Sequence, residues 1–550
     1  MLLFSLLLFI VVPVFSQSHT NIHLQIKIPF SAKKSLTELP FELYRENIRK
    51  DSLIIEIPAD SLNVWMNRFP ALSVLKASPM LDQTDMAASL EEALTFTKYP
   101  TYYQYDSMMH YFADTYPDIC MLDTFGYSRE GRLLLALKIS DNVQSEEDEP
   151  AFLYTATIHG DELIGYILTL RLADFILKEY GSNVEIDRIV NDVELWINPL
   201  SNPDYTFYGG DTTVAYSIRP DFYDLNRSFP DPPSGDKNDT SGIRLENQYM
   251  MLFMMEHDFN LSANLHAGAE VVNYPWDHTY ALHPDDDWYI HISREYADLA
   301  HDVSPLYMDG FTDGITNGAE WYVIHGGRQD YVNYYLHGRE VTLELSNIKK
   351  VASGQLETYW NYNQWSLLNM ISQSRYGIHG NVKSANTGLP VESMIWVMNH
   401  DDSTSWVKSD PVSGNFYRYL KEGAYDLCIT ADGYIDDTIQ NIQVTDFQKT
   451  ALEVFLDSTF TAGNSLISGL DLSVFPNPAS GILNIQNKKG FNSPTSLWFR
   501  DLSGKLIINE SVEQGACLHK MDLAGMESGI YILEIKDEAG NFWNNLVVLE

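Results

Sequence analysis

Between Tyr99 and Tyr376 the chain alternates short apolar runs with longer stretches of helical periodicity. The run 151–156 is apolar at all but one position and predicts a buried strand, whereas 103–116 and 163–180 predict helices. Strands interleaved with helices predict an α/β fold, in which a mainly parallel or mixed sheet is flanked by helices. Ligands of such sheets collect at the carboxyl ends of the strands, so we expect the chemistry in loops that follow apolar runs.

The pattern changes on both sides of this region. Residues 17–85 combine an alternating run at 53–57 with a helix-like stretch at 59–69, which predicts a small α+β unit. Whether this unit is a pro-region, an accessory domain or an integral start of the next domain is open. Residues 377–457 carry short strand-like runs separated by turn signals, which predicts an all-β sandwich.

The two ends of the chain differ from its central region. Residues 1–16 form an almost unbroken apolar run that is followed at once by polar sequence. Such a run is typical of a secretory signal peptide and too short to cross a bilayer, which needs roughly 20 apolar residues. No later stretch is apolar enough to span, so we expect no transmembrane segment. At the other end, a linker at 458–470 precedes a second small all-β module at 471–550.

Composition narrows the class of partners. The 550 residues include 75 acidic and 36 basic side chains, for a formal net charge of -39. This field repels phosphate backbones, so nucleic acid is not expected as a partner, and the simplest role of the acidity is solubility. The three cysteines, Cys120, Cys428 and Cys517, are too scattered for a disulfide framework or a thiolate metal site. We expect each of them to be a small buried residue.

Candidate metal ligands follow two of the apolar runs. His159 and Glu162 come at the end of the run 151–158 and lie three residues apart, so that both can reach one ion. His266 ends another largely apolar stretch and offers a third ligand. Two imidazoles and a carboxylate leave the fourth position of a zinc ion open for water, although an isolated His-x-x-Glu is more often a polar turn.

Further polar residues strengthen the functional interpretation. Glu344 lies in the alternating pattern 339–345, where an inward carboxylate needs a partner or a role, such as that of general base. Arg219, Asn226 and Arg227 supply the guanidinium and amide donors that suit a substrate carboxylate. The neighbouring acid, Asp224, is suited to orient a metal-bound His ring. Each of these residues alone would indicate only a surface salt bridge or a turn.

Together, residues 99–376 resemble the zinc metallocarboxypeptidase family, specifically its regulatory branch with carboxypeptidases E, N, M and D. The resemblance covers about half of the chain, and the order and spacing of six motifs carry it. These motifs are His159-Gly160-Asp161-Glu162, Asn202-Pro203-Asp204, Asp224-Leu225-Asn226-Arg227-Ser228-Phe229-Pro230, Ala263-Asn264-Leu265-His266, Asn273-Tyr274-Pro275-Trp276-Asp277 and Gly326-Gly327-Arg328-Gln329-Asp330. The resemblance implies the carboxypeptidase fold, with the catalytic domain at 90–376.

The resemblance also implies the metal centre and the base. His159, Glu162 and His266 would bind one Zn2+ ion, in the two-His, one-Glu set that carboxypeptidase A uses. Glu344 would be the general base. Hydrolysis of a peptide bond by zinc-activated water is the activity that this arrangement implies.

The substrate-binding residues follow in the same way. Arg219 would polarise the scissile carbonyl and steady the oxyanion. Asn226, Arg227 and Tyr322 would hold the terminal carboxylate of a peptide, which restricts cleavage to the last peptide bond.

Specificity is implied by the residues that line the pocket for the terminal side chain in this branch. Here these are Asp277 and Gln329, and the resemblance implies a preference for C-terminal Lys or Arg. The chain departs from the branch at three positions, where Asp161 replaces Asn, Ala267 replaces Gly and Arg328 replaces Met. Arg328 would neutralise Asp277 if it turned inward, but an extended segment would make it face away.

The outer modules carry resemblances of their own. Residues 377–457 resemble the transthyretin-like module that follows the catalytic domain in this branch. Residues 471–550 resemble the C-terminal sorting domain of bacterial type IX secretion substrates, through Pro476-Asn477-Pro478, 501–505 and 529–531. This implies export through the periplasm to the cell surface or the medium, with the type IX secretion machinery as a partner.

Two other functions stay open. A zinc peptidase with the same chemistry could act on cell-wall peptides, and a protein of a different class would be a catalytically silent surface-binding protein. A silent relative should have lost a ligand or the base, and all of them are present in this sequence. We therefore expect a secreted zinc metallocarboxypeptidase that acts on the C-termini of peptides or proteins.

Overall fold

The computed structural model describes residues 22–29, 43–49, 52–58, 62–79, 85–145, 147–208, 210–214, 223–458, 472–502, 504–537 and 542–549. The predicted signal peptide at 1–16 and the predicted substrate-binding residue Arg219 lie outside the described residues. The chain divides into two compact units, Met1–Val382 with Glu392–Ile429 and Thr438–Val454, and Lys383–Val391 with Thr430–Asp437 and Phe455–Glu550. Within the described ranges, none of the helices combines the length and apolar character that crossing a membrane requires.

The first unit begins with a small antiparallel sheet, in the order β2-β3-β1-β4. Its elements are β1 (Ile22–Pro29), β2 (Leu43–Arg49), β3 (Ser52–Pro58), α1 (Leu62–Arg68) and β4 (Ser73–Pro79). The alternating run of the sequence thus corresponds to β3, and the helix-like stretch contains α1.

An eight-stranded mixed sheet forms the centre of the first unit, in the order β11-β10-β12-β9-β7-β8-β6-β5. Its strands are β5 (Cys120–Tyr127), β6 (Leu133–Ile139), β7 (Ala151–Ala156), β8 (Glu194–Asn198), β9 (Leu261–His266), β10 (Glu270–Tyr274), β11 (Ile315–Asn317) and β12 (Arg339–Leu345). The middle strands β12, β9, β7 and β8 run parallel, whereas β5, β6 and β10 make antiparallel pairs. The predicted mixed sheet is confirmed.

Helices flank this sheet, and two of them lie at the stretches 103–116 and 163–180 for which the sequence predicts a helix. They are α2 (Leu90–Ala93), α3 (Tyr102–Thr115), α4 (Ile164–Glu179), α5 (Val184–Asp192), α6 (Pro203–Thr206), α7 (Leu245–His257), α8 (Asp286–Val303), α9 (Gly318–Trp321), α10 (Arg328–Tyr331) and α11 (Leu356–Gln373). Helix α3 begins with a capping box between Thr101 and Gln104, which satisfies two backbone donors of its first turn. Alternate side chains of β7 enter two different hydrophobic clusters, with Phe152 in one and Leu153 in the other.

Two neighbouring strands bring polar residues to one face of the sheet. β9 and β12 are parallel and in register, so that Ser262 lies opposite Glu340 and His266 opposite Glu344. Side chains two residues apart share a face, so the intervening pair, Asn264 and Thr342, joins the same stripe. The stripe ends at the carboxyl ends of both strands, where His266 and Glu344 lie side by side.

The remainder of the chain consists of small antiparallel sheets. Strands β13 (Gly377–Ser384), β14 (Met394–Val397), β15 (Val407–Lys408), β16 (Asn415–Arg418), β17 (Gly423–Thr430), β18 (Asp437–Val444) and β19 (Lys449–Leu456) form the sheets β16-β13-β19 and β15-β14-β17-β18. Strands β20 (Leu472–Phe475), β21 (Ile482–Asn487), β22 (Thr495–Asp501), β23 (Leu506–Val512), β24 (Leu518–Asp522), β25 (Gly529–Asp537) and β26 (Phe542–Leu549) form the sheets β20-β21-β24 and β23-β22-β25-β26. The all-β character predicted for both regions is confirmed.

The cysteines behave differently from one another. Cys120 is buried as expected, and burial raises its thiol pKa to about 12. Cys428 is half-buried and Cys517 is exposed, so the expectation that each cysteine is buried is wrong. Cys517 directly precedes β24, which is an edge strand of its sheet and therefore leaves neighbouring residues open to solvent. All three thiols are free, as the scattered spacing predicted.

Candidate metal centre and substrate pocket

Three candidate metal ligands converge at the carboxyl ends of β7 and β9. His159 and Glu162 lie in the loop after β7, and His266 is the last residue of the adjacent parallel strand β9. Nδ1 of His159 is 2.8 Å from Oε1 of Glu162, and Nδ1 of His266 is 2.8 Å from Oε2 of the same carboxylate. The two Nδ1 atoms are 3.2 Å apart. Sequence reasoning predicted this convergence, and the structure brings the three residues together.

The donor set fits a zinc ion. A tetrahedral zinc with bonds of about 2.0–2.1 Å to nitrogen holds its ligand atoms about 3.3 Å apart, close to the separation of the two imidazole nitrogens. Burial lowers the pKa of His266, which favours the neutral ring that can coordinate a metal. Burial opposes ionisation of Glu162, but His159 and Lys349 hold the pKa of this carboxyl well below its usual value. The site therefore offers the neutral His266 ring and the ionised Glu162 carboxylate, with the Nδ1 atom of His159 beside both.

Asp224 fixes the orientation of the His159 ring. Its Oδ1 lies 3.1 Å from Nε2 of His159, on the opposite side of the ring from Glu162. The same oxygen accepts a hydrogen bond from the backbone N–H of Asn226 at 3.0 Å. A carboxylate in this position selects the tautomer that leaves Nδ1 available to a metal. The structure therefore places Asp224 against the His159 ring, which is the contact that the sequence predicts.

Glu344 lies one strand away from His266, near the end of β12. The two residues are Cα partners in the parallel pair β9 and β12, so their side chains leave the sheet on the same face. On its other side, Glu344 pairs with Val271 of β10. Its side chain is buried. This position brings the candidate base to the same edge of the sheet as the candidate ligands.

Asn226 and Arg227 lie in a short 3-10 turn that is pinned to a second loop. Oδ1 of Asn226 accepts a hydrogen bond from the backbone N–H of Arg328 at 2.9 Å, and the N–H of Phe229 donates to the carbonyl of Gly326 at 3.1 Å. Gly326 has a φ of 66°, and a Cβ there would lie 2.9 Å from the backbone of Arg227, so only glycine suits this close approach. The turn is thereby held rigidly.

Tyr322 directly follows the short helix α9. Its backbone N–H donates to the carbonyl of Gly318 at 3.0 Å, and its ring packs edge-on against Trp321 with centroids 4.9 Å apart. Trp321 packs in turn against Phe311 of the preceding loop, with centroids 5.1 Å apart. An aromatic series thus supports the backbone at Tyr322. The role of Tyr322 in binding a carboxylate stays a prediction, as does that of Arg219.

Asp277 and Gln329, the residues predicted to line a specificity pocket, are in contact. Oδ1 of Asp277 accepts hydrogen bonds from Nδ2 of Asn273 at 3.0 Å and from Nε2 of Gln329 at 3.1 Å. The carboxylate lies against Gly318, where a Cβ would overlap it. Burial, reinforced by the negative charge of Asp330, raises the pKa of Asp277 to about 8. A cation beside this carboxylate would favour its ionised form.

The segment around Arg328 is helical, so the extended conformation under which Arg328 would face away from Asp277 is absent here. Arg328 begins the helix α10, because Gly327 occupies its N-cap position with an extended φ of -76° and ψ of 150°. The guanidinium of Arg328 nevertheless avoids Asp277. Its Nη2 lies 2.7 Å from Oε2 of Glu340 in an ion pair with both side chains at most 1% exposed, and its Nη1 donates to Thr155. The guanidinium of Arg328 therefore neutralises the charge of Glu340 and not that of Asp277.

A second group of possible ligands, Asp285, His400 and Asp401, is occupied by protein cations. Guanidinium nitrogens of Arg339 and Arg418 lie 2.8 Å and 2.7 Å from the carboxylate of Asp285. Burial disfavours the charge of Asp285, but Arg418 and Arg339 hold its pKa well below the usual value. This group is a buried ion network that joins the α/β region to β16, and the first group is the better candidate for a metal.

Sequence reasoning missed residues that act through the named ones. Lys349 contacts Glu162, Asn273 contacts Asp277, and Glu340 pairs with Arg328. Asn273 lies inside a motif that had been recognised, and Glu340 continues the alternating pattern of β12, so both carried a signal. Lys349 lies in an irregular loop after β12, and nothing in the local pattern points to it.

Comparison with known proteins agrees with this geometry. Residues 105–366 match the family described as zinc carboxypeptidase, and residues 473–549 match the secretion system C-terminal sorting domain. Carboxypeptidase SOL1 of Arabidopsis thaliana is 34% identical over 367 residues, which cover 64% of this chain and 72% of that protein. The carboxypeptidase N catalytic chain of Rattus norvegicus is 31% identical, and the match covers 59% of this chain and 78% of the relative.

Other relatives are longer or more distant. Carboxypeptidase D of Mus musculus is 33% identical over 59% of this chain, which spans 24% of that protein. Among solved structures, thrombin activatable fibrinolysis inhibitor (TAFI) has a TM-score of 0.53 at 15% identity, covering 64% of this chain and 98% of that one, which shows the fold alone. The chain therefore belongs to the zinc carboxypeptidase family and is a metallocarboxypeptidase, a hydrolase, that carries a C-terminal sorting domain.

Proposed function

We propose that this enzyme removes the last residue from peptides or proteins with a free C-terminal carboxylate, that it prefers Lys or Arg there, and that it uses one Zn2+ ion. His159, Glu162 and His266 would hold the ion. The observation that carries the proposal is the convergence of these three donors beside Glu344 at the ends of adjacent strands. When bound, zinc supplies a Lewis acid and lowers the pKa of a coordinated water to about 7.

Glu344 moves the proton. Its carboxylate accepts a proton from the attacking water and passes it to the leaving amine, so that the free amino acid and the shortened peptide balance the added water. Burial beside the candidate ligands keeps this carboxylate within reach of the reacting atoms. Asp224 holds His159 in place during the reaction. Arg219 would stabilise the charge that develops on the scissile carbonyl oxygen.

Asn226, Arg227 and Tyr322 select a free carboxylate. A guanidinium fork and an amide donor match a carboxylate bidentately, and an amidated end would leave them without their anionic partner. The close packing of the turn at 225–227 against Gly326 supports this function, because it limits the positions that the two side chains can take. Because the C-terminal carboxylate of the substrate peptide is anchored, cleavage occurs at its last peptide bond.

Asp277 would recognise the terminal cation. Its carboxylate is buried beside Gln329, and the guanidinium of Arg328 pairs with Glu340, so Arg328 does not compete with a substrate cation for Asp277. A Lys or Arg side chain would replace the lost hydration of this carboxylate, whereas an apolar side chain would leave it buried without compensation.

The sorting domain supports export to the cell surface or the medium by the type IX secretion machinery. We also propose the predicted division of the chain, with a signal peptide at 1–16, an accessory or pro-region at 17–85, the catalytic domain at 90–376, a transthyretin-like module at 377–457 and the sorting domain at 471–550. The all-β strands of both C-terminal regions are consistent with it.

A specificity profile of the full chain tests the substrate assignment. Peptides that are identical except for a final Arg, Lys, Phe, Leu or Glu are compared in the native enzyme and in Asp277→Ala. We expect the highest kcat/KM for Arg and Lys and loss of this preference in the variant. A preference for Phe or Leu, or an unchanged preference in Asp277→Ala, contradicts the pocket assignment. Hydrolysis of muropeptides alone would favour a cell-wall substrate, and no hydrolysis at all would favour a silent binding protein.

A further inference from the structure

Lys349 lies beside the candidate ligand Glu162, although it belongs to a different part of the chain. Its Nζ is 2.9 Å from Oε1 of Glu162 and 4.0 Å from Oδ2 of Asp161, and its side chain is only 11% exposed. Its backbone carbonyl also accepts a hydrogen bond from the N–H of Leu163 at 3.0 Å. The loop after β12 thus holds the ligand turn both by side chain and by backbone.

The second oxygen of the carboxylate is held from another direction. The backbone N–H of Ala267, just after β9, donates to Oε2 of Glu162 at 3.1 Å. Each oxygen therefore has one protein donor in addition to the His nitrogen that faces it. A carboxylate oxygen has two lone pairs, so an oxygen that accepts one hydrogen bond keeps a lone pair for a metal. Together, Lys349 and Ala267 fix the plane in which Glu162 offers those lone pairs.

The charge of Lys349 raises a conflict that Asp161 resolves. An ammonium group near a divalent cation would repel it. The formal charges of Asp161, Lys349 and Glu162 are −1, +1 and −1, which sum to −1, the charge that Glu162 alone would bring. The aspartate stands where the related branch has an asparagine, so this chain supplies a compensating charge next to the lysine. Lys349 can orient the ligand without removing the negative charge that attracts the metal.

We propose that Lys349 is a positioning residue of the metal centre: it clamps Glu162 in the orientation that binds zinc and so sets the affinity of the centre. The inference rests on the proposed function, since it assumes that Glu162 is a zinc ligand. Partners that orient metal ligands typically contribute about 10–100-fold in metal affinity. Because Lys349 follows β12 in the chain, the same clamp ties the ligand turn to the strand that carries Glu344.

The test is the zinc dissociation constant, measured for the full chain by competition with a chromophoric chelator. Lys349→Met, which keeps the length of the side chain but not its donor or charge, should weaken zinc binding about 10–100-fold. Lys349→Arg, which restores a cationic donor, should recover most of the affinity. Lys178→Met is the matched control, because Lys178 pairs with Asp174 at the far end of α4 and is 51% exposed. Its affinity should equal that of the native chain.

Each result has a separate meaning. Equal or tighter zinc binding by Lys349→Met overturns the clamp, since charge repulsion would then outweigh orientation. Failure of Lys349→Arg to recover affinity also overturns it, because the effect would come from packing alone. A native chain that binds no zinc contradicts the proposed function instead. Thermal unfolding of the metal-free forms identifies variants that do not fold, and Lys349→Gln replaces Lys349→Met in that case, with the same expected loss.

Discussion

The pKa of Asp277 makes the preference for basic C-termini depend on pH. Burial, with the nearby charge of Asp330, raises this pKa from the usual 3.8 to about 8, whereas Arg227 acts in the opposite direction. At neutral pH the carboxyl of the free enzyme is therefore mostly protonated. A peptide that ends in Arg binds best to the ionised form of Asp277, because its cation then pairs with the carboxylate. At lower pH, binding of this peptide requires Asp277 to release its proton, which weakens the binding.

The size of the effect follows from the titration. With a pKa of about 8, the ionised fraction of Asp277 rises from about 1% at pH 6 to about 50% at pH 8, so kcat/KM for an Arg-ending peptide should rise about 50-fold from this cause. A Leu-ending peptide gains nothing from the ionised form. The ratio of kcat/KM for the two peptides cancels every pH effect of the metal centre that they share.

The assay measures this ratio from pH 6 to pH 9 with peptides that differ only in the last residue. The native enzyme should show a ratio that rises toward pH 8 and levels off above it, and Asp277→Asn should show a low and flat ratio. The same group affects stability: because its folded pKa lies above the unfolded one, it stabilises the fold fully below about pH 3.8, and this stabilisation is lost progressively between about pH 3.8 and pH 8. The melting temperature should fall over that interval in the native enzyme more than in Asp277→Asn. A flat ratio in the native enzyme would show that ionisation of Asp277 does not govern binding of the terminal cation.

Three further predictions concern other parts of the molecule. Glu344→Gln should keep its zinc, measured by elemental analysis, but its kcat should fall about 10²–10⁴-fold in steady-state kinetics. A variant that retains most of its kcat would show that Glu344 is not the general base. Arg328→Met should lower the free energy of unfolding by about 3–5 kcal/mol, because Glu340 is left buried without its cation. In denaturant titrations, the double variant with Glu340→Gln should recover part of this loss. A chain that ends after Ser458 should stay active yet fail to reach the cell surface or medium of its native host, and normal export in fractionation experiments would contradict the sorting role.

The metal site could be predicted from the sequence because its residues follow regular elements. The apolar run before His159 predicted a buried strand, and the carboxyl ends of neighbouring parallel strands meet at one edge, so His159 and His266 were expected to converge. Glu344 was visible through the alternation of β12. These inferences depend only on periodicity and on the direction of the strands.

Periodicity and strand direction could not predict the contacts that residues in loops make. An extended segment would make Arg328 face away from Asp277, but a helix begins after Gly327, and the guanidinium of Arg328 pairs with the buried Glu340. Lys349 reaches Glu162 from a loop whose path is set by tertiary packing, which leaves no periodic signal in the sequence. The raised pKa of Asp277 could not be predicted either, because it depends on burial and on the charge of Asp330 together.

Release of the last amino acid from a peptide shows whether this chain is a zinc exopeptidase that recognises a free C-terminus. The purified full chain is incubated with a peptide that ends in Arg, either with a free carboxylate or amidated, and released amino acid is quantified before and after removal of zinc by a chelator. Our expectation is release of free Arg from the unmodified peptide, little or no release from the amidated one, loss of activity on chelation and its return when one equivalent of Zn2+ is added. Equal cleavage of both peptides, or activity that survives complete removal of zinc, would contradict it.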